Sequence, residues 1–529
     1  MAMKRRTFLG AAAGATAAAG LGAPSVAQQA RVLKFIPQSN LTVLDPIWTT
    51  ANVTRHHGFM VFDTLFATDE NFRLHPQMAE GYTLSDDRRT YTIKLREGLK
   101  FHDGEPVRAV DCIASLNRWS KRDSYGQTWA EQLDAMRAID DRSFEVKLKE
   151  PFPLFIEAIG KSTGPAFIMP ERLARTDANT QVREVVGSGP YRFVREEFVA
   201  GSRAVYLRNE QYVPRSEPVS IFAGGKVVHF DRVEWLVLPD PATAAAALQA
   251  GEVDWWEQPV ADLLPVLRRN RNLKVERLDP IGNFSILRFN HLHPPFNDVR
   301  LRRAVLLAVN QPDYLSAMMG NDPDLWAECH GVFPCGTPSA TDVGTEPLRG
   351  PRDLERCRAM IRDAGYNGAK VVLLSPTDFA TIHPQGLVSN DLLRRLGFNV
   401  EFAATDWGTV VQRRASKEPV ERGGWSVFHT NFDAAAILNP AGHLPLRGNG
   451  ENAWFGWPNI PRIEELRRQW FAAADDAAQR RLMEEIQRVA FDQVPYVPIG
   501  RYFLQAAYRN NLTGIQRNYA ALFWGVRRV

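Results

Sequence analysis

Apolar and polar positions along this chain follow two different periods, and the chain switches repeatedly between them. Tyr91-Thr92-Ile93-Lys94-Leu95 and Phe144-Glu145-Val146-Lys147-Leu148 alternate residue by residue, the pattern of half-buried strands. Between them, residues 109–119 carry apolar side chains at helical spacing, after a turn that contains Pro106. Residues 230–238 predict another strand, and Pro241–Ala250 an alanine-rich helix stopped by Gly251. Helical spacing returns over 299–309 and over 353–364, the latter ended by Gly365. A short buried strand follows at 371–374. A helix over 387–396 then leads through Gly397 into a strand at 399–402. Alternation of this kind predicts α/β domains.

At 529 residues the chain exceeds what one core supports, so two or three domains are expected. No repeat, low-complexity run or long charge block marks their boundaries, which suits domains interleaved along the chain. Hydrophobic residues make up 45% and charged residues 23%, a globular balance. Thirteen Trp and 29 Phe exceed what a core strictly needs; packing is the default use for most of them, and an aromatic cleft the alternative.

Residues 1–27 read as an export signal. Lys4, Arg5 and Arg6 open it, Phe8-Leu9 and an Ala/Gly-rich run follow, and Ser25-Val26-Ala27 presents small residues before Gln28. The string Lys4-Arg5-Arg6-Thr7-Phe8-Leu9 resembles a twin-arginine signal, departing from it at Lys4 and Gly10; a general secretory signal is the alternative. Cysteine is absent near the cleavage site, so no lipid anchor is expected. No other segment approaches about 18 uninterrupted apolar residues, so no membrane span is expected either. Removing the three basic residues leaves 61 Lys+Arg against 60 Asp+Glu. A charge near +1 argues against a nucleic-acid or anionic-membrane partner.

Cys329 and Cys335 flank a short loop, and an oxidising compartment favours a disulfide between them. The rival is a metal site with His330, for which no fourth ligand is in view. Cys112 and Cys357 fall in helical patterns and read as buried thiols.

Two motifs resemble reactive chemistry. His102-Asp103-Gly104-Glu105 has neither a second cluster to complete a metal shell nor a nucleophile to serve, and it reads as a turn before a helix. Gly187-Ser188-Gly189-Pro190 lacks both the phosphate-loop lysine and the Gly-x-Ser-x-Gly order of a nucleophile elbow.

The order of several segments resembles the family 5 extracellular solute-binding proteins, the peptide-type receptors of ABC importers. The segments are Leu44-Asp45-Pro46, Phe62-Asp63-Thr64-Leu65, the run from Pro76 through Tyr82 to Gly104, Gly187-Ser188-Gly189-Pro190-Tyr191, residues 248–254, and Phe289-Asn290 through Pro295 to Ala304. The resemblance spans roughly residues 40–510. It implies an α/β, two-lobed type II periplasmic binding fold with an additional subdomain inserted in lobe one. Lobe one would hold 28–57, 185–280 and 498–529, the inserted subdomain 58–184, and lobe two 281–497. The interlobe crossings would lie near Phe289-Asn290 and near residues 495–498. A periplasmic receptor of this kind is expected to be monomeric, to use no cofactor, and to deliver its ligand to permease subunits in the inner membrane.

The resemblance also marks cleft positions: Trp48, Thr49 and Asn52 after the first strand, Trp407 in lobe two, and Tyr502 beyond the second crossing. Residues 423–433 are the most informative, with Phe428, His429, Thr430, Asn431, Phe432 and Asp433 as ligand-binding candidates. Peptide-binding relatives place a carboxylate here, within a Gly-Asp-x-x-Asp-Pro-like run, for the ligand's amino terminus. This chain lacks that run, leaving Asp433 as the amine partner or a ligand without an amine. Peptide is the first expectation; an opine, an oligosaccharide or a metal chelate are the alternatives. A metal receptor would gather His429, His443 or His383 into one shell. A secreted hydrolase would need a nucleophile beside a base, and no catalytic residue is expected.

Overall fold

The computed structural model describes residues 31–71, 73–337, 339–473 and 475–529; the expected export signal lies outside them. Among these residues three sheets have four or more strands. The first runs Tyr191–Phe193, Arg203–Arg208, Arg232–Leu236, Val32–Ile36, Trp255–Trp256, Ala506–Arg509, Leu273–Glu276. Val32–Ile36 is central and parallel to both neighbours. Its Phe35 packs against Trp235, Trp255 and Phe523 with ring centroids 5.0–5.5 Å apart, which accounts for several of the chain's aromatics.

The second sheet runs Trp326–Ala327, Tyr496–Tyr502, Asn283–Phe289, Val427–Asp433, Lys370–Pro376, Asn399–Thr405. Every residue of Asn283–Phe289 is buried, because strands flank it and both faces are covered. Its sequence, Asn-Phe-Ser-Ile-Leu-Arg-Phe, therefore has no solvent-facing alternation, and its polar Asn283, Ser285 and Arg288 are buried along with the apolar residues. In the third sheet (Ala79–Leu84, Thr90–Leu95, Ser143–Leu148, Leu133–Ala138) the two inner strands, Thr90–Leu95 and Ser143–Leu148, have the alternating burial their sequences announce.

The predicted helices are found at Ala109–Ser120, Pro241–Ala250, Val299–Ala308, Leu354–Asp363 and His383–Arg395. The last begins before the expected 387, since Pro384 is tolerated in a first turn. Cys112 and Cys357 are buried on two of them, and Cys329 is bonded to Cys335.

The chain passes from the first sheet to the second between Glu276 and Asn283, and returns between Tyr502 and Ala506. The expected crossings at Phe289-Asn290 and 495–498 lie instead at the far ends of the two strands concerned, about 20 Å of strand away. The two crossings touch. The Arg277 guanidinium stands 3.6 Å from the centre of the Phe503 ring and donates to the carbonyls of Asp279 and Pro280. Gly282 has φ +85°, and a Cβ there would stand 2.6 Å from the Phe503 ring.

The signature motifs are joints. Asp45 is buried, paired with Arg118 at 2.6 Å, and accepts the N–H groups of Ile47, Trp48 and Val182. It ties the loop after the first strand to the helix Ala109–Ser120. The His102 turn packs against the glycine-rich turn: one imidazole nitrogen is 3.1 Å from the Gly189 carbonyl, and the Gly187 N–H donates to the other. Burial lowers the His102 pKa to about 4. Gly189 N–H bonds the Val61 carbonyl at the end of the helix Asn52–Val61. Neither motif lines the cleft.

Candidate functional site

A cleft of about 1150 Å³, counted to its open mouth, lies between the two larger sheets. One wall is the loop from Gln38 to the first turn of the helix Asn52–Val61; the other comprises the end of the strand Val427–Asp433 and the start of the helix Trp407–Arg413. Trp119, Arg122 and Lys161 from the smaller subdomain close one end. Sites of this size and mixed lining are typical of small-molecule pockets.

Of the expected site residues, Thr49, Asn52, Trp407, Thr430, Asn431, Phe432, Asp433 and Tyr502 line the cleft. The structure does not bring Trp48, Phe428 and His429 to it. Trp48 turns away and donates to the Asn179 carbonyl. Phe428 points into the core against Trp425 and Trp454. His429 is on the other face of the sheet, bonded to Ser389 and tilted against Tyr314. Trp407 is fixed at a helix start that Asp406 caps; its N–H bonds Asp378 and its ring meets Phe379 edge-on.

Two arginines dominate the cleft's charge. Arg414, two turns beyond Trp407 on the same face, is 1% exposed and lines the cleft. Four rings surround its guanidinium: Phe455 at 4.9 Å, Trp407 at 5.3 Å, Trp454 at 5.8 Å and Phe428 at 5.9 Å. No carboxylate pairs with it among the described residues, its Nε has no partner, and one long bond of 3.5 Å reaches Thr49. Burial lowers its pKa to about 9, so it stays charged at neutral pH, held by ring faces and the one long bond to Thr49. Arg55, on the opposite wall, pairs with Asp433 at 2.7 Å, while its Nε and Nη2 remain buried without partners.

The lobes touch at further points across the cleft. Asn52 donates to Asp433 at 3.4 Å and Trp454 to Thr50 at 3.4 Å. Asp123 pairs with Lys161 at 2.7 Å, and Arg122 bonds the neutral oxygens of Asn179 and Trp48. Arg55, Arg122, Lys161 and Arg414 thus face only Asp123 and Asp433, and the cleft carries an excess of positive charge.

No histidine lines the cleft among the described residues. His429, His443 and His383 have separate settings, bonded to Ser389, Val332 and Ser375. Among the described residues no three His, Cys, Asp or Glu side chains are grouped to hold a metal.

The sequence pattern of the bacterial extracellular solute-binding proteins, family 5 Middle, matches residues 73–449. The chain belongs to that family. A Sinorhizobium fredii protein named as a probable peptide ABC transporter periplasmic-binding protein is 38% identical over 523 residues, 98% of each chain. The glutathione-binding protein GsiB of Shigella flexneri is 25% identical over 490 residues, 90% of each. Two solved structures share the fold. The PBP AgaA of A. tumefaciens R10, solved with agropinic acid, has a TM-score of 0.78 at 19% identity and covers 94% of this chain and 99% of its own. A dipeptide binding protein from Pseudoalteromonas sp. SM9913, solved with Met-Leu, has 0.74 at 20% and covers 94% and 100%. The family 5 fold is thus shown over nearly all the described residues.

For this family 5 protein, sequence reasoning missed Arg55, Arg414 and Trp454. Arg55 had a signal: the helix Asn52–Val61 is buried at nine of its ten positions, and an arginine inside such a helix must find a partner.

Proposed function

We propose that this protein is the periplasmic receptor of an ABC importer, closing on a small carboxylate-bearing solute of peptide type and passing it to inner-membrane permease subunits. The observation that carries the ligand class is Arg414: a buried cation without a carboxylate partner, lining the cleft inside a ring of aromatics. A solute carboxylate supplies the missing charge and hydrogen-bond acceptor, and a bidentate pair suits the planar fork. Asp433, the expected partner of a peptide amine, is already matched by Arg55. The solute's anionic end is therefore what this wall selects.

The names of the two curated relatives, one a peptide receptor and the other a glutathione receptor, support a peptide-type solute. Thr49, Asn52, Thr430, Asn431 and Tyr502 supply hydrogen-bonding groups, and Trp407, Phe432 and Trp454 the apolar walls. The protein acts as a carrier and not as an enzyme, as a monomer without cofactor, exported by its N-terminal signal and free of a lipid anchor. No helix among the described residues is long and apolar enough to cross a membrane. Lobe one spans 28–57, 185–280 and the C-terminal tail, the inserted subdomain 58–184, and lobe two the segment from 281. Tyr496–Tyr502, paired within the second sheet, supports moving the return to lobe one from 498 to just past Tyr502.

Isothermal titration of the purified protein with S-methylglutathione, a dipeptide panel and neutral oligosaccharides tests this reading. Binding confined to the carboxylate-bearing compounds is expected. Binding confined to the sugars would overturn it.

A further inference from the structure

Beside the main cleft lies a second chamber of about 460 Å³, and Asn283 and Asp433 belong to the walls of both. Both interlobe crossings contribute to its wall, Leu278 and Asp279 from one and Leu504 and Gln505 from the other, together with residues 255–258 and 518–521. Its charge is opposite to that of the cleft. The wall carries three carboxylates, on Glu257, Asp279 and Asp433, and no basic side chain.

Two of the three carboxylates are engaged. Asp433 is paired with Arg55; Glu257 accepts the Gln38 N–H at 2.7 Å and has His56 Nδ1 3.2 Å away. Asp279 is 8% exposed, and only its Oδ1 is used, accepting the Ile281 N–H at 2.9 Å. Its Oδ2 is buried without a partner. Arg277 and Arg501 act on it through space, but neither makes an ion pair or hydrogen bond with its carboxylate. Arg277 is committed to the carbonyls of Asp279 and Pro280 and to the Phe503 ring, and Arg501 to the Cys335 carbonyl and the same ring.

We propose that this chamber is a cation subsite, in which Asp279 accepts an ammonium or guanidinium group of the solute whose carboxylate is held in the main cleft. The proposal rests on the functional reading above and extends it: the preferred solute is zwitterionic, its two charged ends sorted into two compartments. A buried carboxylate oxygen without a donor is costly, and a ligand N–H donor removes that cost. Burial and the nearby Asp433 charge raise the Asp279 pKa to about 6, outweighing the opposing pull of the Ile281 and Gly282 N–H groups and of Arg277. A cation placed there touches both crossings at once, so its arrival bears directly on lobe closure.

The test compares S-methylglutathione with its N-acetyl derivative, which keeps both carboxylates and loses the ammonium. Titration calorimetry near pH 7.5 is expected to show roughly tenfold or greater preference for the free amine in the wild-type protein. That preference is expected to collapse in Asp279→Asn. Should that variant not fold, the wild-type preference measured at about pH 5 is expected to fall in the same way, as Asp279 takes up a proton. Equal affinity for the two probes in the wild type overturns the subsite and leaves the cleft reading standing. If neither probe binds, the peptide-type reading fails, and methylammonium chloride then decides the subsite. A rise in unfolding temperature over equal sodium chloride near pH 7.5, absent at about pH 5, supports it; no difference overturns it.

Discussion

Arg55 Nη1 lies 2.7 Å from Asp433 Oδ2 and joins the two walls of the cleft, one from the helix Asn52–Val61 and the other from the end of the strand Val427–Asp433. Because the pair spans the two lobes, it is expected to act on closure rather than on folding. Removing one partner leaves a buried charge, a cost of about 3–5 kcal/mol in the closed form. Asp433→Asn is therefore expected to enlarge the radius of gyration of the ligand-free protein in solution scattering, with little change in unfolding temperature. An unchanged radius would count against the latch.

Arg414→Met keeps the stem that packs among Trp407, Trp454 and Phe455 and deletes the charge. Losing one partner of a buried charge pair costs about 2–5 kcal/mol, so affinity for S-methylglutathione should fall about thirtyfold or more by calorimetry. Unfolding temperature should hold or rise slightly, because a desolvated cation has been removed.

Stability should decline as the solution is acidified below pH 6.5. Burial lowers the pKa values of His57, His429 and His443 to about 3 and that of His102 to about 4, and places His291 well below its ordinary value. The folded chain keeps these imidazoles neutral while the unfolded chain protonates them, so their contribution is complete above pH 6.5 and is lost as pH falls toward the folded values. Each costs up to about 1.4 kcal/mol per pH unit in that window. Asp279 works against them between about pH 4 and 6, since its folded pKa is raised. Denaturant unfolding at pH 6.5, 5.8 and 5.0 should show the decline, and His429→Gln should reduce its slope by about one proton.

Gly187→Ala should be severely destabilising although its backbone has ordinary geometry. The new Cβ would lie 2.0 Å from the Val61 carbonyl oxygen, backbone against backbone, with no flexible side chain to yield. A loss of more than about 2 kcal/mol is expected, seen as a lower unfolding temperature or loss of soluble protein. Normal stability would mean that the glycine-rich joint is looser than its contacts imply.

The strand and helix periods were legible where one face meets solvent, as in Thr90–Leu95 and Ser143–Leu148. They were silent where both faces are covered. Within Val427–Asp433 nothing in the sequence separates Phe428 and His429, which point into the core, from Thr430 to Asp433, which reach the cleft. The crossings were misplaced for a related reason: strand direction relative to the cleft is a property of the sheet, not of the strand. The Arg55–Asp433 latch was invisible because its halves are brought together only by lobe docking; the neighbouring Asn52–Asp433 contact joins residues 381 apart in sequence. The Arg414 aromatic ring draws on three separate segments and could not be assembled from spacing.

The central claim is that the interlobe cleft holds a carboxylate-bearing solute through Arg414. Native mass spectrometry of protein purified without denaturation, followed by release and fragmentation of what it carries, tests it most directly. A carboxylate-bearing, peptide-type mass is expected on the wild-type protein and is expected to be absent from Arg414→Met. A neutral sugar on the wild type, or the same solute retained in full by Arg414→Met, would contradict it.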